Sequence, residues 1–154
     1  RAEYLKKYQN ALRSRENQFI EMISREVGKP TWESKTEFQA MLNKIDITIQ
    51  DSMRLISDIE IPNAMPSVTG RARYRPHGVM AVIGPFNFPG HLANGHIIPA
   101  LATGNTVIFK PSEKTPMTGQ LIAECFHEAG FPPGVFNLIQ GEKEMGRRLC
   151  MHEG

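Results

Sequence analysis

The sequence predicts an α/β protein in which an incomplete doubly wound parallel sheet follows two helices and one exposed strand. Glycine and proline divide the chain, because only Gly28 among 13 glycines precedes Gly70 and only Pro30 among 11 prolines precedes Pro62. The chain up to about residue 60 therefore favours helix, and the remainder favours short elements separated by turns. In that remainder, short apolar runs alternate with helical patterns, which is typical of parallel strands joined by right-handed crossovers.

Residues 1–69 form the predicted helical segment, which carries two apolar stripes. The first stripe comprises Phe19, Met22, Ile23 and Val27. Gly28 supplies the C-terminal cap of this helix, and Pro30 prevents its continuation. The second stripe covers about five turns and comprises Phe38, Met41, Leu42, Ile45, Ile49, Met53 and Ile56. We interpret both stripes as core-packing surfaces, so this segment contributes structure rather than chemistry.

An exposed strand and a turn are predicted over residues 70–78, where arginine alternates with uncharged residues from Arg71 to Arg75. The apolar run at 79–83 is typical of a strand that is buried on both faces. Further strands are predicted at 106–109 and 135–139, and helices at 91–102, 116–129 and 141–152. No strand follows the last helix, so we expect the chain to be truncated within a repeating βα pattern.

Composition excludes several classes of protein. With 40% apolar and 22% charged residues, the chain is neither disordered nor of low complexity. A net charge of +2 gives no argument for a nucleic-acid or membrane-surface partner. No apolar run approaches the roughly 20 residues of a membrane span, and the charged N-terminus does not resemble a signal peptide. Two cysteines form no disulfide framework, which predicts a reducing compartment, the cytoplasm.

Several common catalytic and binding motifs are absent from the sequence. It has no G-x-G-x-x-G, no phosphate loop, no G-x-S-x-G and no metal-ligand spacing among its five histidines, so we expect no metal site. Cys125 lies among apolar residues of a predicted helix, which indicates a buried structural thiol. Cys150 lies beside Arg148, but no neighbouring residue supplies a base. Neither cysteine is therefore a predicted nucleophile.

Asn87 is the candidate catalytic residue. It lies in the segment Ile83-Gly-Pro-Phe-Asn-Phe-Pro-Gly90, which begins at the carboxyl end of the first apolar strand, where open α/β sheets bind ligands. Pro85 and Pro89 bracket Asn87 and restrict the backbone on both sides of it. A side-chain amide held rigidly at this edge can stabilise a developing oxyanion. A plain turn is the alternative interpretation of the same residues.

A second candidate segment, Lys110-Pro-Ser-Glu113, follows the next strand at its carboxyl end. An acidic residue about 20 residues past the first turn can accept hydrogen bonds from the ribose of an adenine dinucleotide. Glu113 has that position, and Lys110 could donate to the same ribose. The alternative is a solvated Lys–Glu pair on the surface, which would contribute little to stability.

The sequence contains IGPFNFP at residues 83–89, PALATGNTVIFKPSE at residues 99–113 and AGFPPGVFN at residues 129–137. These three stretches closely resemble the NAD(P)-dependent aldehyde dehydrogenases, and Val27-Gly-Lys-Pro30 is similar to that family's first-helix ending. Residues 90–96 look most like the bacterial member of the family that works in arginine degradation. The resemblance implies that residues 79–154 are part of a dinucleotide-binding domain and that residues 70–78 belong to an oligomerisation hairpin.

The resemblance also implies roles for particular residues. Asn87 matches the asparagine of the family's oxyanion hole. The positions that match cofactor-binding residues are Ile83, Pro85 and Phe86 beside the cofactor, Lys110 and Glu113 at the adenosine ribose, and Gly141 and Gly146 at the start of a helix near the adenine.

For the whole protein, the resemblance implies NAD as cofactor, a small-molecule aldehyde as substrate and a homo-oligomeric assembly. The family's pyrophosphate loop, general-base glutamate and nucleophilic cysteine would lie beyond this sequence, so we expect this chain to be an inactive N-terminal part of the enzyme. Three alternatives stay open: a relative that acts on another semialdehyde, a nucleotide-binding module without catalysis, and a purely structural or assembly module.

Overall fold

Helices come first along the chain, a hairpin follows, and a parallel sheet with its connecting helices comes last. The computed structural model describes residues 1–153. The helical part contains α1 (Ala2–Ser14), α2 (Glu16–Val27), α3 (Thr31–Gln50) and a short 3-10 helix (Ser52–Ile56). The hairpin contains β1 (Ile59–Met65) and β2 (Val68–Ala72). The last part contains β3 (Val79–Ile83), α4 (His91–Ala102), β4 (Thr106–Lys110), α5 (Pro116–Glu128), β5 (Phe136–Leu138) and α6 (Lys143–Cys150).

The sheet has the order β3-β4-β5, and all its strand pairs are parallel. Its register places Val82 opposite Phe109, and Phe109 opposite Leu138. Each strand is followed by a helix, so the carboxyl ends of the strands and the N-termini of α4, α5 and α6 meet at one edge. The α/β fold class that the sequence predicts is confirmed, and this edge positions the candidate residues.

The core joins three layers, because α4 and α5 lie on the sheet and α1, α2 and α3 pack on those two helices. A stack of aromatic rings passes through the layers. The ring of Tyr8 on α1 stacks on Phe126 of α5 at 3.9 Å between centroids, and Phe126 stacks on Phe136 of β5 at 4.2 Å. The hydroxyl of Tyr8 donates to Asn94 Oδ1 of α4 at 3.1 Å. These contacts hold the crossover helices between the sheet and the N-terminal helices.

One face of the sheet is open, which corrects the prediction that 79–83 is buried on both faces. Val82 is buried against α4, whereas Val79 and Ile83 are 59% and 47% exposed. The reason is that α4 and α5 cover the face that Val82 occupies. Near the opposite face, α6 contacts β3, but none of the residues of α6 is buried.

The N-terminal half differs from the predicted pattern in three places. The helix α1 precedes the two predicted stripes, and α3 ends at Gln50 so that Met53 and Ile56 lie in the 3-10 helix. The hairpin begins at Ile59, inside the segment that the sequence assigns to helix, and its second strand ends at Ala72 rather than Arg75. All residues of β1 are exposed, so no buried face produces the alternation that marks a strand. The predicted glycine cap of α2 is confirmed, since Gly28 has φ +77°.

Candidate active site

The loop that carries Asn87 leaves the carboxyl end of β3 and enters α4. The N–H of Gly84 donates to the carbonyl of Lys110 at 2.9 Å, so the loop begins as a continuation of the β3–β4 ladder. Pro89 is buried, whereas Pro85 and Asn87 are exposed. Within residues 1–153 the side-chain amide of Asn87 has no hydrogen-bond partner, so both of its N–H groups are available to a ligand at this edge.

A buried ion pair lies beneath this loop. The ammonium of Lys29 is 2.6 Å from Glu37 Oε2, and the two side chains are 7% and 0% exposed. The other carboxylate oxygen, Oε1, accepts hydrogen bonds from the N–H of Gly90 at 2.9 Å and of His91 at 3.1 Å. The carboxylate thus satisfies free N–H groups at the start of α4, where a negative charge is favoured by the helix dipole.

The same ammonium also binds the loop directly. Lys29 Nζ donates to the carbonyl oxygen of Asn87 at 2.9 Å and lies 4.1 Å from the centre of the Phe88 ring. Sequence patterns do not indicate these contacts, because Lys29 and Asn87 are 58 residues apart. The sequence does not indicate the role of Glu37 either, since a glutamate within a helical pattern is usually a solvated residue. The segment Val27-Gly-Lys-Pro30 marks Lys29 only as part of a helix ending, and no sequence signal indicates its pairing with Glu37.

Lys110 joins several of the predicted cofactor-binding residues. It pairs with Ile83 across the two strands, and its Nζ donates to the carbonyl oxygens of Pro111 at 2.8 Å and Gly141 at 2.7 Å. Gly146 lies so close that a Cβ on it would be 3.4 Å from Lys110 Cε. The structure therefore brings Ile83, Lys110, Gly141 and Gly146 together, with Lys110 itself buried at 3% exposure. Among residues 1–153, one N–H of its ammonium has no hydrogen-bond partner.

The remaining predicted cofactor-binding residues are exposed on the two loops beside Lys110. Phe86 is 47% exposed, and the ammonium of Lys114 lies 4.7 Å from its ring centre, so the loops after β3 and β4 touch. Pro85 is exposed on the first loop and Glu113 on the second. In the part of the chain that the structure describes, the Glu113 carboxylate has neither a hydrogen bond nor an ion pair. A ligand can therefore contact both Pro85 and Glu113, and the cofactor-binding roles of these residues stay predictions.

Neither cysteine lies on the loops at this edge of the sheet, because Cys125 belongs to α5 and Cys150 to α6. Cys125 is buried on α5, and burial raises the pKa of its thiol to about 12, with Glu128 and Glu124 adding to the effect and Arg15 opposing it. This thiol is protonated at neutral pH, which agrees with a structural role. Cys150 is exposed on α6.

The described residues also bear on metals and membranes. Among residues 1–153, no group of three or more His, Cys, Asp or Glu side chains is arranged to hold a metal ion. None of the helices in that range combines the length and apolar character that crossing a bilayer requires.

Comparison with known proteins places the chain in a family. The profile of the aldehyde dehydrogenase family matches residues 1–154. The chain therefore belongs to the aldehyde dehydrogenase family. It is similar to the N-succinylglutamate 5-semialdehyde dehydrogenase of Novosphingobium aromaticivorans, with 46% identity over 100% of this chain and 32% of that protein. This similarity confirms the finer resemblance that residues 90–96 predict.

Solved structures show the same relationship. An NAD-dependent aldehyde dehydrogenase from Sinorhizobium meliloti superimposes with a TM-score of 0.91 and 29% identity, covering 99% of this chain and 30% of that one. An NADP-dependent enzyme from Escherichia coli gives a TM-score of 0.86 and 31% identity, covering 92% of this chain and 29% of the other. The chain thus spans about a third of the length of the proteins it matches.

Proposed function

We propose that this chain is the oxyanion-binding and adenosine-binding part of an NAD-dependent aldehyde dehydrogenase. The enzyme oxidises N-succinylglutamate 5-semialdehyde to N-succinylglutamate in arginine degradation. The observation that carries the proposal is the exposed amide of Asn87, which has no hydrogen-bond partner among residues 1–153 and lies on a loop held at the carboxyl edge of a parallel sheet. Relatives named for this semialdehyde support the choice of substrate.

In the proposed reaction, a thiolate attacks the aldehyde carbon, and negative charge develops on the former carbonyl oxygen. The amide of Asn87 donates a hydrogen bond to that oxygen. Because its backbone is fixed in advance, little reorganisation is needed when the charge appears. The thiolate and the base that later activates water come from outside this chain, since Cys125 is buried and protonated and Cys150 has no base beside it. We therefore expect the chain alone to be inactive.

The residues beside Lys110 fit the adenosine side of NAD, which when bound accepts the hydride from the substrate. The exposed Glu113 carboxylate, which has no partner among residues 1–153, can accept from the ribose hydroxyls, and the buried Lys110 ammonium has one further N–H for the same sugar. Ile83, Pro85 and Phe86 supply exposed apolar surface beside it. Two glycines lie beside the side chain of Lys110. The carbonyl oxygen of Gly141 accepts a hydrogen bond from the ammonium, and Gly146, which has no side chain, leaves room beside the methylene groups of Lys110.

The exposed hairpin supports a homo-oligomeric assembly. Its apolar side chains Ile59, Ile61, Met65 and Val68 are 45–63% exposed. An exposed strand edge with apolar side chains is a surface that another chain can cover. We propose that a second subunit covers this hairpin.

The test uses the longer polypeptide that this proposal requires, in which the chain is followed by a thiolate and a base. The purified protein is mixed with NAD and N-succinylglutamate 5-semialdehyde, and NADH formation is followed by absorbance. The expected result is aldehyde-dependent NADH formation, with a higher kcat/KM for this substrate than for succinic or methylmalonic semialdehyde. Saturable NAD binding without turnover would instead favour a non-catalytic nucleotide-binding module. A higher kcat/KM for another semialdehyde would favour a relative with a different substrate.

A further inference from the structure

We propose that the buried ion pair Lys29–Glu37 positions Asn87 for catalysis, so that both residues act on the oxidation without touching the aldehyde. The proposal rests on the function proposed above, because it requires Asn87 to be the oxyanion donor. Neither Lys29 nor Glu37 lies on the sheet or in the loop. They belong to the connection after α2 and to α3, respectively.

Burial of the pair argues for a geometric role. Both charged groups are almost completely removed from water, at 7% and 0% exposure. Such a pair carries a desolvation cost that its own attraction offsets only with good geometry, so a well-packed apolar pair would stabilise the fold as well or better. An apolar pair could not bind backbone N–H and C=O groups. Lys29 and Glu37 can, because in addition to their ion pair each forms hydrogen bonds with the backbone of the Asn87 loop or the start of α4.

The cation holds the backbone at Asn87 itself. Lys29 Nζ donates to the Asn87 carbonyl oxygen at 2.9 Å while it pairs with Glu37 Oε2 at 2.6 Å. The ring of Phe88 lies 4.1 Å from the same ammonium, at cation–π distance. The carboxylate, the carbonyl oxygen and the ring together surround the ammonium, so that its place beneath the loop is determined.

The anion holds the backbone just after Asn87. Glu37 Oε1 accepts from the N–H groups of Gly90 and His91, as described above. The approach is close, because a Cβ at Gly90 would lie 3.4 Å from this oxygen and 2.5 Å from Met41 Sδ on the same helix. The loop is therefore fixed at both the Asn87 carbonyl and the start of α4.

This arrangement controls Asn87 because its amide has no hydrogen bond of its own to the described residues. The position of the amide is then set by the backbone that carries it. An oxyanion donor acts only over a narrow range of distances, and a displacement of about 1 Å can lower a rate by about a hundredfold. Lys29 and Glu37 are therefore positioning residues, and their effect should pass through Asn87.

The test is a double-mutant cycle in the longer polypeptide. The first change is the double substitution Lys29→Met with Glu37→Gln, which removes both charges together while keeping similar side-chain shapes and the Oε1 acceptor. It avoids leaving one charge buried and unpaired, which could prevent folding. The second change is Asn87→Ala, alone and combined with the first. The matched control is Lys6→Met with Asp46→Asn, because Lys6 and Asp46 also form a lysine–carboxylate pair onto α3, but at the surface.

We expect the double substitution to lower kcat by about tenfold, with the KM for aldehyde and for NAD changed less than about twofold. In the Asn87→Ala background the same substitution should lower kcat by less than about twofold, because the amide it positions is already absent. The surface control should change kcat in neither background. Equal losses of kcat in both backgrounds, or no loss in the presence of Asn87, would overturn the proposal.

Hydrogen exchange of residues 84–91 separates this inference from the proposed function. We expect the amides of Gly90 and His91, which donate to Glu37 Oε1, to exchange about tenfold faster in the double variant than in the parent or the surface control. Unchanged exchange would overturn the inference even if the enzyme is active. If the parent protein reduces no NAD with any aldehyde, the proposed function fails, and the inference fails with it whatever the exchange rates. If the parent is active and Asn87→Ala leaves kcat unchanged, the oxyanion role of Asn87 is excluded, although the enzyme activity stands. The positioning role of Lys29 and Glu37 is then excluded as well.

Discussion

Thr118 at the start of α5 donates two hydrogen bonds to Glu26 of α2, from its N–H at 2.9 Å and from its hydroxyl at 2.6 Å. The N–H of Met117 donates to the other oxygen of the same carboxylate at 2.8 Å. The residue before this helix, Thr115, supplies no side-chain cap. Glu26 therefore caps α5 from 92 residues away, as Glu37 caps α4.

The first prediction concerns this cap. Glu26→Ala should lower the free energy of unfolding by about 1–2 kcal/mol, because the first turn of α5 loses its acceptor and a favourable negative charge. Urea unfolding followed by circular dichroism measures the change. Glu21→Ala is the control on the same helix, since Glu21 pairs only with exposed Arg25, and it should cost less than about 0.5 kcal/mol. Equal losses in the two variants would contradict the capping role.

The two distant caps show where sequence reasoning succeeds and where it stops. The strands at 79–83 and 106–109 and the helix at 91–102 are predictable because the apolar pattern, glycine and proline act over a few residues. The position of Asn87 at the carboxyl edge follows from the same local pattern. Glu26 and Glu37 could not be found, because their partners lie 92 and 53–54 residues along the chain and depend on how α2 and α3 dock.

Exposure was the other property that local pattern did not determine. The run 79–83 is apolar throughout, so it predicts burial on both faces, but only tertiary packing decides which face receives a helix. The first strand of the hairpin was missed by the sequence-based prediction for a related reason. Ile59 to Met65 has no buried face, and Asn63 and Ser67 adopt positive φ of 54° and 62°, so neither alternation nor a glycine turn marks it.

The second prediction tests Asn87. Asn87→Ala in the longer polypeptide should lower kcat by about 10²–10³-fold, the usual cost of losing one oxyanion donor. The KM for NAD should stay unchanged, because the amide acts on the aldehyde oxygen. Steady-state kinetics with saturating NAD measure both quantities. Asn43→Ala, at an exposed position on α3 where Gln39 donates to the amide oxygen, is the control and should retain full activity. A variant at position 87 with near-normal turnover would exclude the catalytic role.

The third prediction concerns cofactor choice. Glu113→Gln should narrow the preference for NAD over NADP, because its carboxylate accepts from the ribose hydroxyls and repels a 2′-phosphate. The measurement is the ratio of kcat/KM for the two cofactors, which should fall by about tenfold or more. Glu3→Gln, at an exposed position on α1, is the control and should leave the ratio unchanged. An unmodified enzyme with a higher kcat/KM for NADP than for NAD would contradict the prediction. The similar Escherichia coli enzyme is named as NADP-dependent.

The fourth prediction follows from the buried thiol of Cys125. Burial raises its pKa from 9.0 to about 12, so the native state holds this proton more tightly than the unfolded chain does. The resulting stability is fully present below pH 9 and is lost as the pH rises toward 12. Urea midpoints measured between pH 8 and pH 10 should therefore fall with rising pH.

Two cysteine variants separate this effect from other alkaline titrations. Cys125→Ser, whose hydroxyl does not ionise in this range, should show a weaker fall in the urea midpoint between pH 8 and pH 10 than the unmodified chain. Cys150→Ser is the matched control at an exposed position, and it should keep the fall of the unmodified chain because the buried thiol of Cys125 is still present. Burial also raises the pKa of Tyr8 above its ordinary value of 10.0, and the Cys125 thiol adds to this shift. The burial effect on Tyr8 is common to all three proteins, whereas the effect of Cys125 is absent from Cys125→Ser. Parallel pH profiles for the unmodified chain and Cys125→Ser would show that this thiol does not titrate differently on folding.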